Sequence, residues 1–472
     1  MRMYLAGQWV EKDHRIEVVN PFDGKAFETV PRAEAADVEK ALQSAVQGAR
    51  VMERLTGHER WRFLTRAAGL LAERSEDLAR TITREEGKIL SEARGEVGRA
   101  VETLTASAEE AKRVTGEGVP VDAAPGAKGK LAFTLRIPCG VVAAVTPFNF
   151  PLNLVAHKLG PALAGGNAVV LKPASDTPLS ALKLVEVLLE AGAPAESVQC
   201  LTGPGGELGD LLVSDARVRK VTFTGSRDVG ERICRRAGLK RVTMELGSNA
   251  PVVVLPDADL EEAAAAIARA GFSNAGQSCI SAQRILGAQE IYADLVSSLT
   301  AKVRAIKAGD PFAEGTQVGP MVREREAARV QQWIGEAAAG GARVVAGGDR
   351  SGAVHAPTLV VDVKPEMRIS DDELFGPAVG AASFGSLDEA IALCNRSRYG
   401  LSASIFTRDL DAAMRFLREV QSGNIHVNEG PAWRADVMPY GGLKDSGFGK
   451  EGPRYAVEEM TELKLAVIHL RS

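Results

Sequence analysis

One cysteine of this sequence stands where a nucleophile could work. Cys279 closes the polar segment SNAGQSC (273–279), in which a glycine-containing turn directly follows a helical stretch. Such a turn could expose a thiolate, which is the reactive form of cysteine. The alternative is a small buried apolar residue, the commoner role for a cysteine. We expect that second role for the cysteines in apolar strands or helices: Cys139, Cys200, Cys234 and Cys394.

A carboxylate and an amide could assist such a nucleophile. Glu245 ends the apolar run RVTME, where burial would raise its pKa toward that of a general base. Asn149 lies in TPFNFP, where two prolines stiffen a turn around a neutral amide that could stabilise an oxyanion. Each has a structural alternative, which is a solvated strand end for Glu245 and an ordinary turn asparagine for Asn149.

Two glycine-containing turns could hold a phosphate group. The segments GPGG (203–206) and Gly225–Ser226 each follow an apolar run and precede a helical stretch. Backbone N–H groups at the start of a helix attract anions, so these turns would suit a pyrophosphate. The GxGxxG pattern is absent after the first strand, and glycine turns also occur for purely geometric reasons.

Three further residues could contact a nucleotide. Lys172 ends the run NAVVLK, where its amine could donate to ribose hydroxyls. Glu373, in DDELFGP, could accept from a second ribose, with Phe375 as an apolar wall. The structural alternatives are a surface lysine and a solvated acidic loop.

These residues lie at the ends of short apolar runs that alternate with helical stretches. The runs cover residues 140–146, 167–173, 197–203, 220–226 and 241–247. Apolar strands separated by helices predict a parallel sheet covered on both faces, which is a doubly wound α/β arrangement with ligands at the carboxyl ends of its strands. Residues 33–115 have helical periodicity, and a second α/β unit follows residue 247.

Two strand patterns lie outside this alternation. They are LAFTLRIP (131–138) and the late run TELKLAVIHL (461–470). The late run has no evident partner nearby in the sequence, so we predict that it pairs with another subunit.

Composition excludes several classes of protein. The 57 basic and 61 acidic residues nearly balance, which predicts no general affinity for nucleic acid or anionic membranes. No apolar stretch is long enough to span a bilayer, and the N-terminal residues lack a signal-peptide core. The five cysteines show no metal-ligand or disulfide spacing. These features predict a cytoplasmic protein without a metal site.

Taken together and in order, the motifs resemble the aldehyde dehydrogenase superfamily over nearly the whole chain. The matching stretches are PFNFP, LKPA, FTGS followed by VG, MELGSNAP, GQSC, ELFGP and PYGGLKDSGFGKEG. A single such stretch would be weak evidence, but seven in register are specific. The resemblance implies a Rossmann-like cofactor domain, an α/β catalytic domain and a small β oligomerisation element.

The resemblance also implies roles for individual residues. Cys279 would be the nucleophile, Glu245 the general base and Asn149 an oxyanion donor. Glu451 would lie on the path of water or protons. The residues implied at the cofactor are Thr146, Pro147, Phe148, Lys172, Ser175, Gly205, Gly209, Thr224, Gly225, Ser226, Glu373 and Phe375.

The cofactor implied by the resemblance is NAD or NADP. Many NAD-preferring members carry an acid three residues after the lysine, whereas this chain has Ser175. The substrate implied is a small polar or anionic aldehyde, as in the lactaldehyde, glyceraldehyde-3-phosphate and phosphonoacetaldehyde dehydrogenases. His157 and Arg434 are candidates to contact it, although a locally satisfied helix histidine and a structural loop arginine are the alternatives.

The implied domain boundaries divide the chain into three parts. Residues 1–119 and 140–246 would form the cofactor domain, 247–440 the catalytic domain, and 120–139 with 455–472 the oligomerisation element of a homodimer or homotetramer. Two other functions are open at this point. They are a thioester hydrolase or esterase that uses Cys279 without redox chemistry, and a non-catalytic protein that retains the fold.

Overall fold

The first half of the chain contains a helical segment followed by alternating strands and helices. The computed structural model describes residues 1–470. The strands are β1 (Met3–Leu5), β2 (Gln8–Val10), β3 (Arg15–Val19), β4 (Ala26–Pro31), β5 (Gly118–Val119), β6 (Lys130–Pro138), β7 (Val141–Val145), β8 (Ala168–Lys172), β9 (Val198–Cys200), β10 (Val218–Thr224) and β11 (Arg241–Glu245). The helices are α1 (Ala35–Arg54), α2 (Gly57–Glu73), α3 (Ser75–Glu86), α4 (Leu90–Ala111), α5 (Asn153–Ala164), α6 (Pro178–Glu190), α7 (Gly205–Ser214) and α8 (Arg227–Ala237).

The second half repeats the alternation around another sheet. Its strands are β12 (Ala250–Val254), β13 (Ala282–Ala288), β14 (Arg343–Ala346), β15 (Arg350–Ser351), β16 (Val354–His355), β17 (Thr358–Val361), β18 (Ala378–Phe384), β19 (Tyr399–Gly400), β20 (Ser402–Phe406), β21 (Asn424–Val427), β22 (Leu443–Lys444), β23 (Gly447–Phe448) and β24 (Thr461–His469). Its helices are α9 (Leu260–Phe272), α10 (Tyr292–Ala305), α11 (Glu324–Ala339), α12 (Arg368–Asp371), α13 (Leu387–Arg396), α14 (Leu410–Glu419) and α15 (Pro453–Glu459).

The first large sheet places polar strand ends along one edge. Its order is β2-β1-β9-β8-β7-β10-β11-β23, and the five strands from β9 to β11 are parallel. All five residues of β8 are buried, as expected for a sheet covered on both faces. Thr224 pairs with Glu245 and Val145 with Lys172, so these four residues end their strands side by side.

The second large sheet supports the loop that carries Cys279. Its order is β14-β17-β18-β13-β12-β20-β21, and every neighbouring pair except β14 and β17 is parallel. The loop between α9 and β13 turns sharply because Asn274 and Ala275 adopt left-handed backbone conformations, with φ of 50° and 53°. Gly276 has no side chain, which is required because a Cβ there would lie 2.1 Å from the carbonyl oxygen of Gly376.

The late strand has its partner within the same chain. β24 pairs antiparallel with β6 over nine residues, from Thr461 opposite Pro138 to His469 opposite Lys130. β5 completes this three-stranded sheet, and the outer edge of β24 is unpaired within the described residues. The expectation that the late run has no partner in its own chain is therefore wrong, whereas pairing with another subunit through the free edge of β24 stays a prediction. Arg471 and Ser472, the end of the predicted oligomerisation element, lie outside the described residues.

The predicted fold class is confirmed, and the main departures are short elements. The helical region expected over 33–115 is the four helices α1 to α4. Strands β1 to β4 were not predicted, because a short segment gives little periodicity to detect, and in the second half the helices α10 and α13 and the strands β20 and β21 were not predicted individually. Among residues 1–470, no helix is both long and apolar enough to cross a membrane.

The parallel core should dominate the stability of the first domain. Leu171 lies in β8 and has no exposed surface. Replacing Leu171 by alanine should lower the free energy of unfolding by about 2–5 kcal/mol, because it removes buried methyl groups and leaves a cavity. Urea-induced unfolding followed by circular dichroism measures this change. Leu239→Ala, at a fully exposed leucine, is the control and should unfold like the wild type.

Candidate active site

One cavity of about 790 Å³ connects the edges of the two large sheets. Of the residues predicted from the sequence, ten line it: Pro147, Phe148, Asn149, Thr224, Gly225, Ser226, Glu245, Cys279, Glu373 and Phe375, together with the substrate candidate Arg434. The structure places seven predicted residues outside its lining: Thr146, His157, Lys172, Ser175, Gly205, Gly209 and Glu451. Eleven of the residues predicted from the sequence therefore share one cavity.

The Cys279 thiol lies in this cavity and contacts a tyrosine. Its Sγ is 3.0 Å from the Oη of Tyr440. Burial raises the pKa of the thiol to about 12, although the Tyr440 hydrogen bond lowers it. The loop is held from α4, where the carboxylate of Glu92 accepts the backbone N–H of Asn274 at 3.1 Å.

Asn149 is fixed beside Cys279 by hydrogen bonds on both its side chain and its backbone. Its Nδ2 donates to the carbonyl of Gln277 at 2.9 Å, which uses one of the two amide N–H bonds. Its own carbonyl accepts from Lys88 Nζ at 2.8 Å and from Asn274 Nδ2 at 2.9 Å. The remaining N–H is a neutral donor whose position is set by its neighbours.

Glu245 is buried at the end of β11 without a hydrogen-bond partner. Glu245 is 2% exposed, and neither of its carboxylate oxygens accepts a hydrogen bond within the described residues. Burial, followed by the charge of Glu451, raises its pKa well above the ordinary value. A carboxylate with a raised pKa is a stronger base once it has lost its proton.

Glu451 lies behind this site in a buried ionic cluster. Lys158 Nζ contacts one of its oxygens at 2.5 Å and Arg434 Nη2 contacts the other at 3.0 Å. Burial would raise the pKa of Glu451, but the charges of Lys158 and Arg434 outweigh it and lower the pKa. Thr224 Oγ1 is also within 3.3 Å of Glu451. Glu451 therefore keeps a negative charge close to Glu245.

His157 belongs to the same cluster and does not reach the cavity. It is completely buried, and its Nε2 is 2.9 Å from Asp436 Oδ1 and 3.2 Å from Arg434 Nη2. Burial and then the charge of Arg434 lower its pKa, which favours the neutral ring. His157 is therefore a buried residue outside the cavity lining, bonded through Nε2, while its Nδ1 has no partner within the described residues. Arg434, by contrast, lines the cavity.

The residues predicted for a nucleotide form two groups. The first group lies at the carboxyl end of β8 and the start of α7, outside the cavity lining. There Lys172 is buried, its Nζ donates to the Pro173 carbonyl, and burial lowers its pKa to about 8. Ser175 Oγ donates to the carbonyl of Gly203 at 2.8 Å, next to Gly205, where α7 begins. Gly209 is buried one turn further into α7.

The second group lies next to Cys279. Glu373 accepts the backbone N–H of Ser248 at 2.8 Å, and burial raises its pKa to about 7. Phe375 packs edge-on against Phe148, with 5.9 Å between ring centroids. Thr146 belongs with Lys172, whose carbonyl accepts its backbone N–H at 3.2 Å, and its buried hydroxyl oxygen has no partner in the described residues, as expected where a bound group completes the hydrogen bonding. The cavity and its donors therefore fit a dinucleotide.

Several residues of the site were missed by sequence analysis. Tyr440 contacts the nucleophile, and four residues of one helix face line the cavity: Glu92, Gly95, Glu96 and Arg99. Their spacing of three to four residues places them on one side of α4. Charged residues on one face of a largely buried helix were the signal that could have revealed them.

The comparisons with known proteins agree with this geometry. A family model described as "Aldehyde dehydrogenase family" matches residues 9–466. A 3-sulfolactaldehyde dehydrogenase of Priestia megaterium is 48% identical and aligned over 99% of this chain and 98% of its own. A lactaldehyde dehydrogenase of Methanococcus vannielii is 36% identical over 99% of this chain and 100% of its own.

Solved structures extend the agreement to the fold. The NADP-dependent glyceraldehyde-3-phosphate dehydrogenase of Bacillus halodurans, complexed with NADP, superposes with a TM-score of 0.97 at 36% identity, covering 100% of this chain and 99% of its own. Aldehyde dehydrogenase 21 of Physcomitrella patens, in complex with succinate, gives 0.96 at 39% identity and covers 99% and 98%. These matches favour a dehydrogenase over a non-redox hydrolase or a non-catalytic protein. The chain belongs to the aldehyde dehydrogenase family and is an NAD(P)-dependent aldehyde dehydrogenase.

Proposed function

We propose that this aldehyde dehydrogenase oxidises a small aldehyde with an anionic tail and releases the carboxylic acid. The observation that carries the proposal is the free donor of Arg434. Its Nε is buried and has no partner within the described residues, although Nη2 is engaged by Glu451 and His157. A buried donor beside the nucleophile is stabilised by an acceptor, and an anion is the strongest one.

A second arginine supports the same substrate class. Arg99 lines the cavity, and its side chain is 33% exposed while Asp436 accepts from it at 2.8 and 3.0 Å. Its remaining N–H bonds are free to reach a sulfonate, phosphate or carboxylate. The relative that oxidises 3-sulfolactaldehyde, by its name, fits this class. His157 would orient Arg434 from behind and would not touch the substrate.

Cys279 would attack the aldehyde carbon and form a thiohemiacetal. The free N–H of Asn149 would stabilise the resulting oxyanion, a contribution that is about 3–4 kcal/mol for one such donor. Loss of hydride would leave a thioester on Cys279. Glu245 would then deprotonate water for hydrolysis, which favours release of an acid over transfer to a thiol acceptor. Glu451 and Lys158 would carry the proton away from Glu245.

The residues around the cavity would hold NAD or NADP, whose nicotinamide ring accepts the hydride when bound. Lys172 would bind the adenosine ribose, and the start of α8 at Gly225 and Ser226 would face the pyrophosphate. Glu373 would bind the other ribose and Phe375 would pack against the ring. Ser175 itself adds no negative charge beside Lys172, and the neighbouring Asp176 is paired with Arg323, so repulsion of a 2′-phosphate would be reduced there.

We also propose the three-part division at residues 1–119 with 140–246, 247–440, and 120–139 with 455–472, and a homodimer or homotetramer. Exposed apolar side chains on β6 and β24 support an interface through this sheet: Leu131, Leu135, Leu463 and Leu465. The five cysteines are free, which supports a reducing, cytoplasmic location.

Glu245→Gln should stop the cycle after the thioester forms. The amide cannot deprotonate water, so one equivalent of reduced cofactor should appear in a burst, followed by a steady-state rate at least about 100-fold below the wild type. Rapid mixing with absorbance detection, and intact mass of the quenched enzyme, measure the burst and the acyl adduct. Undiminished turnover without an adduct would assign deacylation to another group.

Cofactor affinity should depend on the charge of Glu373. With a pKa raised to about 7, this carboxyl is neutral below and charged above that value, and only the carboxylate accepts strongly from ribose hydroxyls. Affinity should therefore fall as the pH drops below 7, by up to about ten-fold per pH unit. Fluorescence titration at pH 5.5 to 8.5 measures it. Glu373→Gln is the control and should bind weakly with a flat profile.

A panel of aldehydes tests the substrate class. Three-carbon aldehydes with sulfonate, phosphate or carboxylate tails should be oxidised with a higher kcat/KM than uncharged analogues, with NAD and NADP compared in parallel. Arg99→Gln should raise KM for the anionic members by about 10-fold or more, because a charge-assisted hydrogen bond is lost. Neutral aldehydes are the matched control and should be unaffected. A preference for long apolar aldehydes would contradict the proposal.

A further inference from the structure

The tyrosine beside the nucleophile has two separable parts. Its ring fills a small apolar cluster with Ile280 and Leu401, and the residue is 3% exposed. Its hydroxyl lies 3.0 Å from Cys279 Sγ, and within residues 1–470 it is the only hydrogen-bond partner of that sulfur. A phenylalanine would fill the same cluster equally well, so packing does not account for the oxygen.

The ring is held rigidly, which fixes the position of the hydroxyl. The Arg434 guanidinium stacks over its face at 3.8 Å from the ring centroid. The carbonyl of Tyr440 accepts the backbone N–H of Glu451 at 2.7 Å, and its own N–H donates to Met438. The hydroxyl therefore stays in place when the sulfur changes its charge.

The direction of the hydrogen bond follows from the chemistry of the two groups. Burial raises the pKa of the Tyr440 phenol well above its ordinary value, so it remains protonated. A cation on the face of the ring draws electron density from it and strengthens the O–H as a donor. A protonated phenol can donate to a thiolate, which is an acceptor only. The contact is therefore strongest in the state that attacks an aldehyde.

We propose that Tyr440 is a catalytic residue of this dehydrogenase: its hydroxyl donates to the Cys279 thiolate and stabilises the charged nucleophile in a buried site. The proposal deepens the proposed function, since it concerns the same nucleophile. The thiol proton leaves to Glu245, the unpaired carboxylate of the same cavity, and the phenol keeps its proton throughout. The hydrogen bond weakens once the sulfur is the neutral thioether sulfur of the thiohemiacetal. Arg434 thereby has two contacts: its Nε donates to the substrate, and the planar face of its guanidinium stacks on the Tyr440 ring.

Tyr440→Phe removes only the hydroxyl and tests this role. Loss of a hydrogen bond to the thiolate should raise the apparent pKa of the thiol by about one to two pH units. A less stabilised thiolate is also more nucleophilic, and this offsets about half of the decrease in reaction rate on a logarithmic scale. Alkylation of Cys279 by iodoacetamide should therefore be about 3-fold to 10-fold slower at each pH between 6 and 9. The site of alkylation is verified by mass spectrometry.

The controls separate this role from packing and from the proposed function. Tyr4→Phe removes another buried tyrosine hydroxyl, which donates to Ala195 at 3.1 Å far from the cavity, and should leave the alkylation rate unchanged. Thermal unfolding of Tyr440→Phe should match the wild type, because the ring is retained. The alkylation assay needs no aldehyde, so it is informative even if every tested aldehyde is a poor substrate. An unchanged alkylation rate in Tyr440→Phe would overturn the proposal.

Discussion

The parallel pairing of β10 with β11 is the interaction on which the rest of the site depends. It places Thr224 and Glu245 side by side at the carboxyl ends of their strands. The start of α8 follows directly, so the N–H groups at Gly225 and Ser226 and the carboxylate of Glu245 open into one cavity. A shift of register by one residue would turn Glu245 to the other face of the sheet and separate it from Cys279.

Around this edge, the molecule concentrates charges in a region that excludes water. Lys158 and Arg434 each bond one oxygen of the buried Glu451, and the nearby Asp436 is bonded by Arg99, Asn153 and His157. Glu245 has no such partner, and burial, followed by the charge of Glu451, raises its pKa. A buried charge is stable only when it is paired. Because the cations of the cluster are engaged by Glu451, Glu245 is left as an unpaired base next to the nucleophile.

The nucleophile is positioned by elements of both halves of the chain. Its own loop turns through two left-handed residues after α9, and such a turn needs support from its surroundings. Glu92 on α4 and Asn149 after β7 supply it through Asn274 and Gln277. Asn149 therefore links the two halves of the site, and its position is set by Lys88 and by the loop that carries Cys279 as well as by its own turn.

The sequence by itself determined the alternation of apolar strands and helices and the residue types at their ends. Those types, with seven motifs in register, were sufficient to predict the doubly wound fold, Cys279, Glu245 and Asn149. Local patterns carry this information because strand and helix periodicities and turn chemistry depend on neighbouring residues. The same local patterns left the roles of His157 and Arg434 open.

Only the tertiary structure decided which side chains face the cavity. His157 is one helix turn from Asn153 in the sequence, yet its environment comes from Arg434 and Asp436, almost 280 residues away. The hydrogen bond from Tyr440 to Cys279 spans 161 residues, and β24 finds β6 across the length of the chain. Contacts of this kind depend on how whole elements pack, and no local periodicity records them.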